Sequence, residues 1–186
     1  MIGILITSHP GHCKIGLKEC LGSVDGIGLA TVFGYDDDSY DCDIPVPAGV
    51  RLMLTGRAQE DLPHDFKIHQ GEHLQIVEGL KILKKWGVRY VFKLCGDMHL
   101  KTSDLWGFID RLDRENTDAI TWEHPEGWLG TKAFFAKTDQ MLKLARQNER
   151  ITFLIESTYS KTARKIGFLY KLESRKFWLE FVGGRC

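Results

Sequence analysis

The segment from Gly71 to Leu100 limits the possible folds of this chain more than any other stretch does. Its letters, GEHLQIVEGLKILKKWGVRYVFKLCGDMHL, predict a helix over about residues 72–86 and an apolar strand over residues 89–94. Gly87 ends the helix, and the lone carboxylate of Asp97 follows the strand. Because ligands in open α/β sheets bind outside the carboxyl ends of the strands, we expect Asp97 to face a crevice that holds a charged substrate or a metal ion.

The order of elements along the chain favours an α/β fold. Strands are predicted over residues 2–7 and 27–33 on either side of a helix over 14–24, an order typical of a right-handed parallel crossover. Later segments alternate in the same way: a strand over 51–54, a polar loop over 55–70, a helix over 102–114 capped by Thr102 or Ser103, strands over 118–122 and 131–136, helices over 139–146 and about 153–165, and a tail that forms edge strands or a hairpin. We predict a single-domain, Rossmann-like three-layer sandwich with a mainly parallel mixed sheet.

Composition excludes several classes of protein. With 186 residues, of which 43% are hydrophobic, the chain has material for one substantial core. Its 25 Lys and Arg balance 25 Asp and Glu, so no overall basic field recruits nucleic acid. No stretch approaches the roughly 18 uninterrupted apolar residues of a membrane span. The five cysteines match no zinc spacing and fit a reducing compartment, and the apolar run after Met1 is typical of a core strand rather than a signal peptide. We therefore expect a cytoplasmic protein.

Carboxylates cluster after the second predicted strand, at Asp36, Asp37, Asp38 and Asp41. Such a cluster is self-repelling unless a cation, a ligand hydroxyl or water compensates it. A carboxylate at the end of an early strand in a nucleotide-binding sheet accepts hydrogen bonds from a ribose or a base. A solvated turn rich in aspartate is the other interpretation.

The sequence GDMHL, residues 96–100, is a second candidate. Asp97 and His99 stand two residues apart, so on extended backbone they point to the same side and can share one divalent ion. Magnesium or manganese suits a carboxylate that is supplemented by diphosphate oxygens. The alternative is that Asp97 caps a turn and that His99 is an ordinary surface or core histidine.

Two further candidates lie in the second half of the chain. Glu156 follows an apolar run and would act as a general base toward a hydroxyl group within hydrogen-bond reach. The alternative is a glutamate at the N-terminus of a helix, where the helix dipole favours a negative charge. The loop from Glu123 to Trp128 carries aromatic rings that can stack on a sugar. Its alternative is a loop in which Trp128 is a partly buried anchor.

Taken in order, these segments resemble the glycosyltransferases of the A-type fold, particularly the family 2 type that uses nucleotide-diphosphate sugars. ILITSHPGH looks like the opening strand and turn of that family, and FGYDDDSYD resembles its D-D-G-S-x-D segment. The helix and strand that end at Asp97 are similar to those that precede the D-x-D motif. WLGTKAFFAKT looks like the acceptor-side strand, and ESTYSKTARKIG resembles the E-D-x-x-L-x-x-R-x-x-x-G helix. The resemblance covers about residues 1–168.

The resemblance implies a nucleotide-binding half over about residues 1–100 and an acceptor half over about 101–186. It implies a UDP- or GDP-sugar donor, a glycan or other hydroxyl acceptor, and assistance by manganese or magnesium. By position it assigns Thr7, His9, Asp36, Asp37 and Gly71 to the nucleotide, Asp97 with His99 to the metal, Glu156 to the role of base, and Glu123 with Trp128 to the acceptor.

Two departures from the family pattern keep other functions open. Cys95 occupies the place of the first D-x-D aspartate, and Ser157 replaces the second acid of the E-D pair. These changes motivate a catalytically inactive module of the same fold that binds nucleotide sugars or glycans. A sugar nucleotidyltransferase is a further alternative, against which stands the lack of a glycine-rich basic loop near the N-terminus. The main expectation from sequence is a metal-assisted glycosyltransferase.

Overall fold

The computed structural model of the chain describes residues 1–11, 14–27, 29–36, 40, 43–56, 64–101, 105–124, 126–148, 151, 154–173 and 179–181. These residues form nine strands and five helices. The strands are β1 (Ile2–Ser8), β2 (Ala30–Tyr35), β3 (Val50–Leu54), β4 (Tyr90–Cys95), β5 (Met98–Leu100), β6 (Ala119–Glu123), β7 (Leu129–Lys137), β8 (Tyr170–Glu173) and β9 (Leu179–Phe181). The helices are α1 (Lys14–Val24), α2 (His64–Lys85), α3 (Trp106–Arg114), α4 (Thr138–Arg146) and α5 (Ile155–Ile166).

Seven strands form one mixed sheet in the order β3-β2-β1-β4-β7-β6-β8. β7 runs antiparallel to both of its neighbours, whereas the other paired strands of this sheet are parallel. The chain moves outward from β1 to β3 and then returns to place β4 on the other side of β1. The strand order therefore reverses between β1 and β4, and such a switch point is where open α/β sheets bind ligands.

Helices cover both faces of this sheet. Side chains alternate along β4, so that Phe92 and Leu94 pack toward α1 and α3 while Val91 packs toward α2, α4 and α5. Each face has its own apolar cluster of buried residues. The predicted single-domain, three-layer α/β sandwich with a mainly parallel sheet is confirmed.

One prediction of secondary structure is wrong at the start of α2. The sequence indicates a polar loop up to Gln70, but the helix already begins at His64. Its buried face is polar here, which conceals the helical period. Gln70 accepts a hydrogen bond from the Ile151 backbone amide at 2.6 Å, and Gln75 bonds to the backbone of Ser8.

The sequence predicts edge strands or a hairpin for the tail of the chain, and its described residues form two short strands, β8 and β9. β8 pairs in parallel with β6, and β9 pairs with β5 in a separate two-stranded sheet. The predicted N-cap at Thr102 or Ser103 is wrong, because α3 begins at Trp106 and Leu105 is at its N-cap position. No helix in the described part of the chain combines the length and apolarity that crossing a membrane requires.

The close approach of α2 to β1 yields a stability prediction. A Cβ atom added to Gly79 would overlap the side chain of Leu5, which is fully buried. Gly79→Ala should therefore destabilise the fold by about 1–3 kcal/mol through overpacking. Each kcal/mol corresponds to a Tm decrease of about 2–4 °C in a chain of this size, measurable by thermal unfolding.

Gly22→Ala in the exposed part of α1 is the matched control, because a Cβ atom there meets nothing within 4 Å. It should raise stability by about 0.5–1 kcal/mol, the usual helical preference for alanine. Equal Tm values for the two variants would contradict the close packing of α2 on β1.

Candidate active site

A cavity of about 230 Å³ opens at the carboxyl ends of β1 and β4, at the switch point of the sheet. Its walls come from β1 and the following loop, α2, β4 and its turn, β7 and the start of α5. The described residues that line it are Thr7, Ser8, His9, Ile68, His69, Glu72, Gln75, Cys95, Asp97, Lys132 and Glu156. Positive, negative and neutral polar side chains thus meet at the place where the topology predicts a ligand.

The end of β1 is held rigidly at one side of the cavity. The side-chain amide of Gln75 accepts a hydrogen bond from the Ser8 amide and donates one to the Ser8 carbonyl, both at 2.9 Å. The Asp36 amide also donates to the Ser8 carbonyl, at 3.0 Å. Thr7 Oγ1 lies 3.9 Å from the sulfur of Cys95 on β4.

The base of the site contains a lysine whose side chain is completely buried. Lys93 Nζ donates to Glu72 Oε1 at 2.5 Å, to the Thr131 carbonyl at 2.6 Å and to Cys95 Sγ at 3.2 Å. The Cys95 thiol in turn lies 3.7 Å from Glu72 Oε1, to which it donates. This network joins β4 and β7 of the sheet to α2.

Burial and charge act in opposite directions on this network. Burial alone would lower the pKa of the Lys93 ammonium, but the charge of Glu72 and the hydrogen bonds that Lys93 donates to Glu72 and Cys95 raise it above its ordinary value. Burial alone would raise the pKa of Glu72, but Lys93 brings it below its ordinary value. Lys93 and Glu72 therefore form a charged pair at neutral pH. Burial raises the pKa of the Cys95 thiol to about 12, so Cys95 is a neutral donor rather than a nucleophile.

Asp97 lines the cavity just beyond the end of β4, as the sequence predicts. Its Oδ1 atom is buried and has no hydrogen-bond partner among the described residues. Burial raises the pKa of this carboxyl above its ordinary value, although Lys132 opposes the shift. A buried oxygen without a partner is costly in a folded protein unless a ligand satisfies it. Asp97 is therefore poised to accept a hydrogen bond or to coordinate a cation.

The residues around Asp97 allow a test of the predicted metal site. His99 lies on β5 and is not among the residues that line the cavity. Within the described ranges, no group of three or more His, Cys, Asp or Glu is arranged to hold a metal ion. Magnesium is commonly bound by one or two carboxylates together with substrate phosphates and water. The unpartnered Oδ1 of Asp97 fits that kind of site as a protein ligand.

Glu156 lies at the start of α5 and lines the same cavity. Its residue is 7% exposed, and its Oε1 accepts a hydrogen bond from the Thr131 hydroxyl at 3.1 Å. Lys132, the next residue on β7, also lines the cavity, and its Nζ lies 5.7 Å from the ring centre of Trp122. The structure thus places Glu156 in the same cavity as Asp97 and Thr7.

The other predicted site residues have different locations. His9 lines the cavity, and its Nδ1 accepts a hydrogen bond from the Gly11 amide at 3.0 Å. Asp36 lies beside the cavity, where its carboxylate fills the space that a Cβ atom of Gly71 would need. Trp128 stacks on His124, with ring centres 5.0 Å apart, and does not line the cavity. Asp37 and the side chain of Glu123 lie outside the part that the structure describes.

Comparison with known proteins bears on the fold of the chain. No family model matches the chain, and no curated protein matches it. Among the solved structures that match is a cytidylyltransferase from Leptospira borgpetersenii serovar Hardjo-bovis, with a TM-score of 0.58 and 16% identity over 94% of this chain and 76% of that one. This likeness establishes the Rossmann-like fold class. It gives no direct support to the glycosyltransferase resemblance, although the two folds are related.

Several cavity residues were not predicted from the sequence. They include Glu72, His69 and Lys132, together with Lys93 behind the cavity wall. One signal was available, because a lysine in the middle of the apolar strand YVFKLC must be paired if that strand is buried. The identity of its partner depends on how α2 packs on the sheet, which local sequence does not specify.

A buried contact between α2 and α5 yields a prediction about pH. His73 Nδ1 lies 2.8 Å from the Tyr159 hydroxyl, and burial lowers the pKa of His73 to about 4 despite a hydrogen bond to the Asn148 backbone. The unfolded chain, with its ordinary histidine pKa near 6.5, binds the proton more readily. Stability should therefore be fully present above about pH 6.5 and fall toward pH 4, by up to about 1.4 kcal/mol per pH unit for this group.

The measurement is chemical unfolding of wild type and His73→Gln between pH 7 and pH 4. Other groups titrate in this range as well, so the difference between the two proteins isolates His73. The wild type should lose stability more steeply than the variant as the pH falls. Parallel pH profiles would show that His73 is not held neutral in the fold.

Proposed function

We propose that this chain catalyses a transfer reaction of nucleotide-sugar chemistry at the cavity between β1 and β4. The observation that carries the proposal is the buried, unpartnered Oδ1 of Asp97 at the switch point of the sheet. Lys132 offers a positive charge to phosphates in the same cavity, while Asp97 and Glu156 offer acceptors to hydroxyl groups or a cation. A nucleotide sugar carries both kinds of group.

Sugar nucleotidyl transfer is the first candidate reaction. It is supported by the cytidylyltransferase among the structural neighbours, whose fold extends over 94% of this chain. An oxygen of the sugar or sugar phosphate would attack the α-phosphorus of a nucleoside triphosphate. The bond from that phosphorus to the bridging oxygen would break, and pyrophosphate would leave. A magnesium or manganese ion on Asp97 would supply charge stabilisation to the departing pyrophosphate.

Glycosyl transfer is the second candidate, and the position of Glu156 favours it. The Thr131 hydroxyl orients one oxygen of this carboxylate inside the cavity. The carboxylate would take the proton of an acceptor hydroxyl while the acceptor oxygen bonds to the anomeric carbon of the sugar. The bond from that carbon to the nucleoside diphosphate would break in the same step.

Product analysis separates the two reactions. The protein is incubated with each nucleoside triphosphate and a panel of sugar 1-phosphates, and separately with nucleotide sugars and hydroxyl acceptors, in the presence of magnesium or manganese. We expect pyrophosphate release in the first set. Release of nucleoside diphosphate in the second set alone would assign glycosyl transfer instead.

Asp97→Asn should reduce the turnover by about 100-fold or more, the usual effect of removing one charge-stabilising group. Its Tm without ligand should equal or exceed that of wild type, because burial already disfavours the charged form of Asp97. Asp139→Asn is the matched control: Asp139 is an exposed residue at the start of α4 that pairs with Lys84 and does not line the cavity. This control should keep full activity.

Ligand-dependent thermal stability tests the proposal where no product forms. A ligand at about 100 times its Kd stabilises a protein by roughly 2.7 kcal/mol, a Tm increase of several degrees for a chain of this size. Such an increase without product would indicate a binding module that has lost catalysis. If no nucleotide or nucleotide sugar gives a product or raises the Tm, the proposal is wrong.

A further inference from the structure

The wall of the cavity contains a carboxylate, that of Glu72, to which neither candidate reaction assigns a role. The geometry points to Glu72 as the residue that binds the hydroxyl groups of the sugar, with Lys93 as the positioning residue that fixes its orientation. This inference rests on the proposed function, since it requires that a sugar-bearing nucleotide enters the cavity. It assigns a subsite for the sugar and states which part of the ligand contacts Glu72.

Lys93 itself is fully occupied and does not reach the ligand. An ammonium group has three N–H donors, and those of Lys93 are taken by Glu72, the Thr131 carbonyl and Cys95. Its side chain is 0% exposed, and it is not among the residues that line the cavity. Its effect on a ligand must therefore pass through Glu72.

Glu72 retains one carboxylate oxygen for a ligand. The hydrogen bonds that it makes within the described residues, from Lys93 and Cys95, both go to Oε1. Oε2 accepts none of them. The Glu72 side chain is 15% exposed and lines the cavity. An ionised carboxylate with a free oxygen is a strong acceptor for the hydroxyl of a sugar.

The distribution of charge decides which part of the ligand meets Glu72. Glu72 and Asp97 act on each other as like charges, so a phosphate group between them would be repelled. A neutral ring with several hydroxyls donates to the free oxygen of Glu72 instead, which leaves Asp97 for the cation. Among the described residues that line the cavity, Lys132 is the one lysine or arginine, and its charge acts on both Glu72 and Asp97. It is the group in this cavity that attracts a phosphate.

A buried ion pair contributes little to the net stability of a fold. Replacing such pairs by apolar residues of similar volume is often neutral or stabilising, because both charges lose their hydration. Glu72 is the partly exposed member of this pair, and its exposed part faces the cavity. This arrangement fits a carboxylate that is held in place for a ligand.

The test separates sugar binding from nucleotide binding. Isothermal titration calorimetry compares UDP with UDP-glucose, GDP with GDP-mannose and CDP with CDP-glucose, on wild type and Glu72→Gln. In wild type, at least one sugar conjugate should bind about tenfold or more tightly than its nucleoside diphosphate. In Glu72→Gln this ratio should fall close to one, while the Kd of the nucleoside diphosphate changes by less than about threefold.

Glu78→Gln is the matched control on the same helix, because Glu78 also pairs with a lysine, Lys81, at 2.5 Å, but does not line the cavity. It should keep both affinities. If Glu72→Gln does not fold because Lys93 is left without its partner, the double variant Glu72→Gln with Lys93→Met removes the unpaired charge. The same ratio is then measured on that protein.

Each outcome has a distinct consequence. If wild type binds none of the six ligands, this inference is overturned, whereas the proposed function is overturned only by failure of the wider panel of nucleotides and nucleotide sugars. If wild type binds a nucleoside diphosphate but gains nothing from the sugar, or if Glu72→Gln keeps the gain, only the sugar subsite is overturned. Equal weakening of both ligands in Glu72→Gln would assign Glu72 a structural role and would also overturn the subsite.

Discussion

A buried ammonium group connects the sheet to the helix that faces it, and the candidate site is built around this connection. Lys93 lies on the central strand β4, and its three partners belong to α2, β7 and the end of β4. Taking a charged amine out of water costs several kcal/mol unless close partners compensate it. The positions of α2 and β7 relative to β4 are therefore coupled to the pairing of this one group.

The chemistry of the cavity follows from that pairing. Because Lys93 keeps Glu72 ionised, the cavity has an acceptor wall on α2, while Lys132 provides a cation from β7. Asp97 Oδ1 has no hydrogen-bond partner in the described part of the chain, and it lies at the point where the strand order reverses. An arrangement that leaves a buried acceptor unsatisfied lowers the stability of the free protein, and this is common at sites that bind a ligand.

Sequence patterns predicted the fold class because each pattern is local. The bounds of α1 and the order of strands and helices follow from apolar periodicity and turn residues. Prediction failed at the first turns of α2, residues 64–71, where Gln70 is buried and bonds to Ile151, a partner more than 60 residues away in the chain. The predicted residues Thr7, Asp97 and Glu156 do meet in one cavity, since strand ends gather at one edge of a sheet. The pair of Lys93 and Glu72 escaped prediction because it depends on helix packing.

A double-mutant cycle tests whether Lys93 and Glu72 act as one unit. Urea unfolding is measured for Lys93→Met, Glu72→Leu and the double variant. Each single change leaves one buried charge without its partner and should cost about 3–5 kcal/mol of unfolding free energy. The double variant should cost much less than the sum, since neither charge then remains. Additive losses, within about 0.5 kcal/mol, would contradict the dependence of the site on this ion pair.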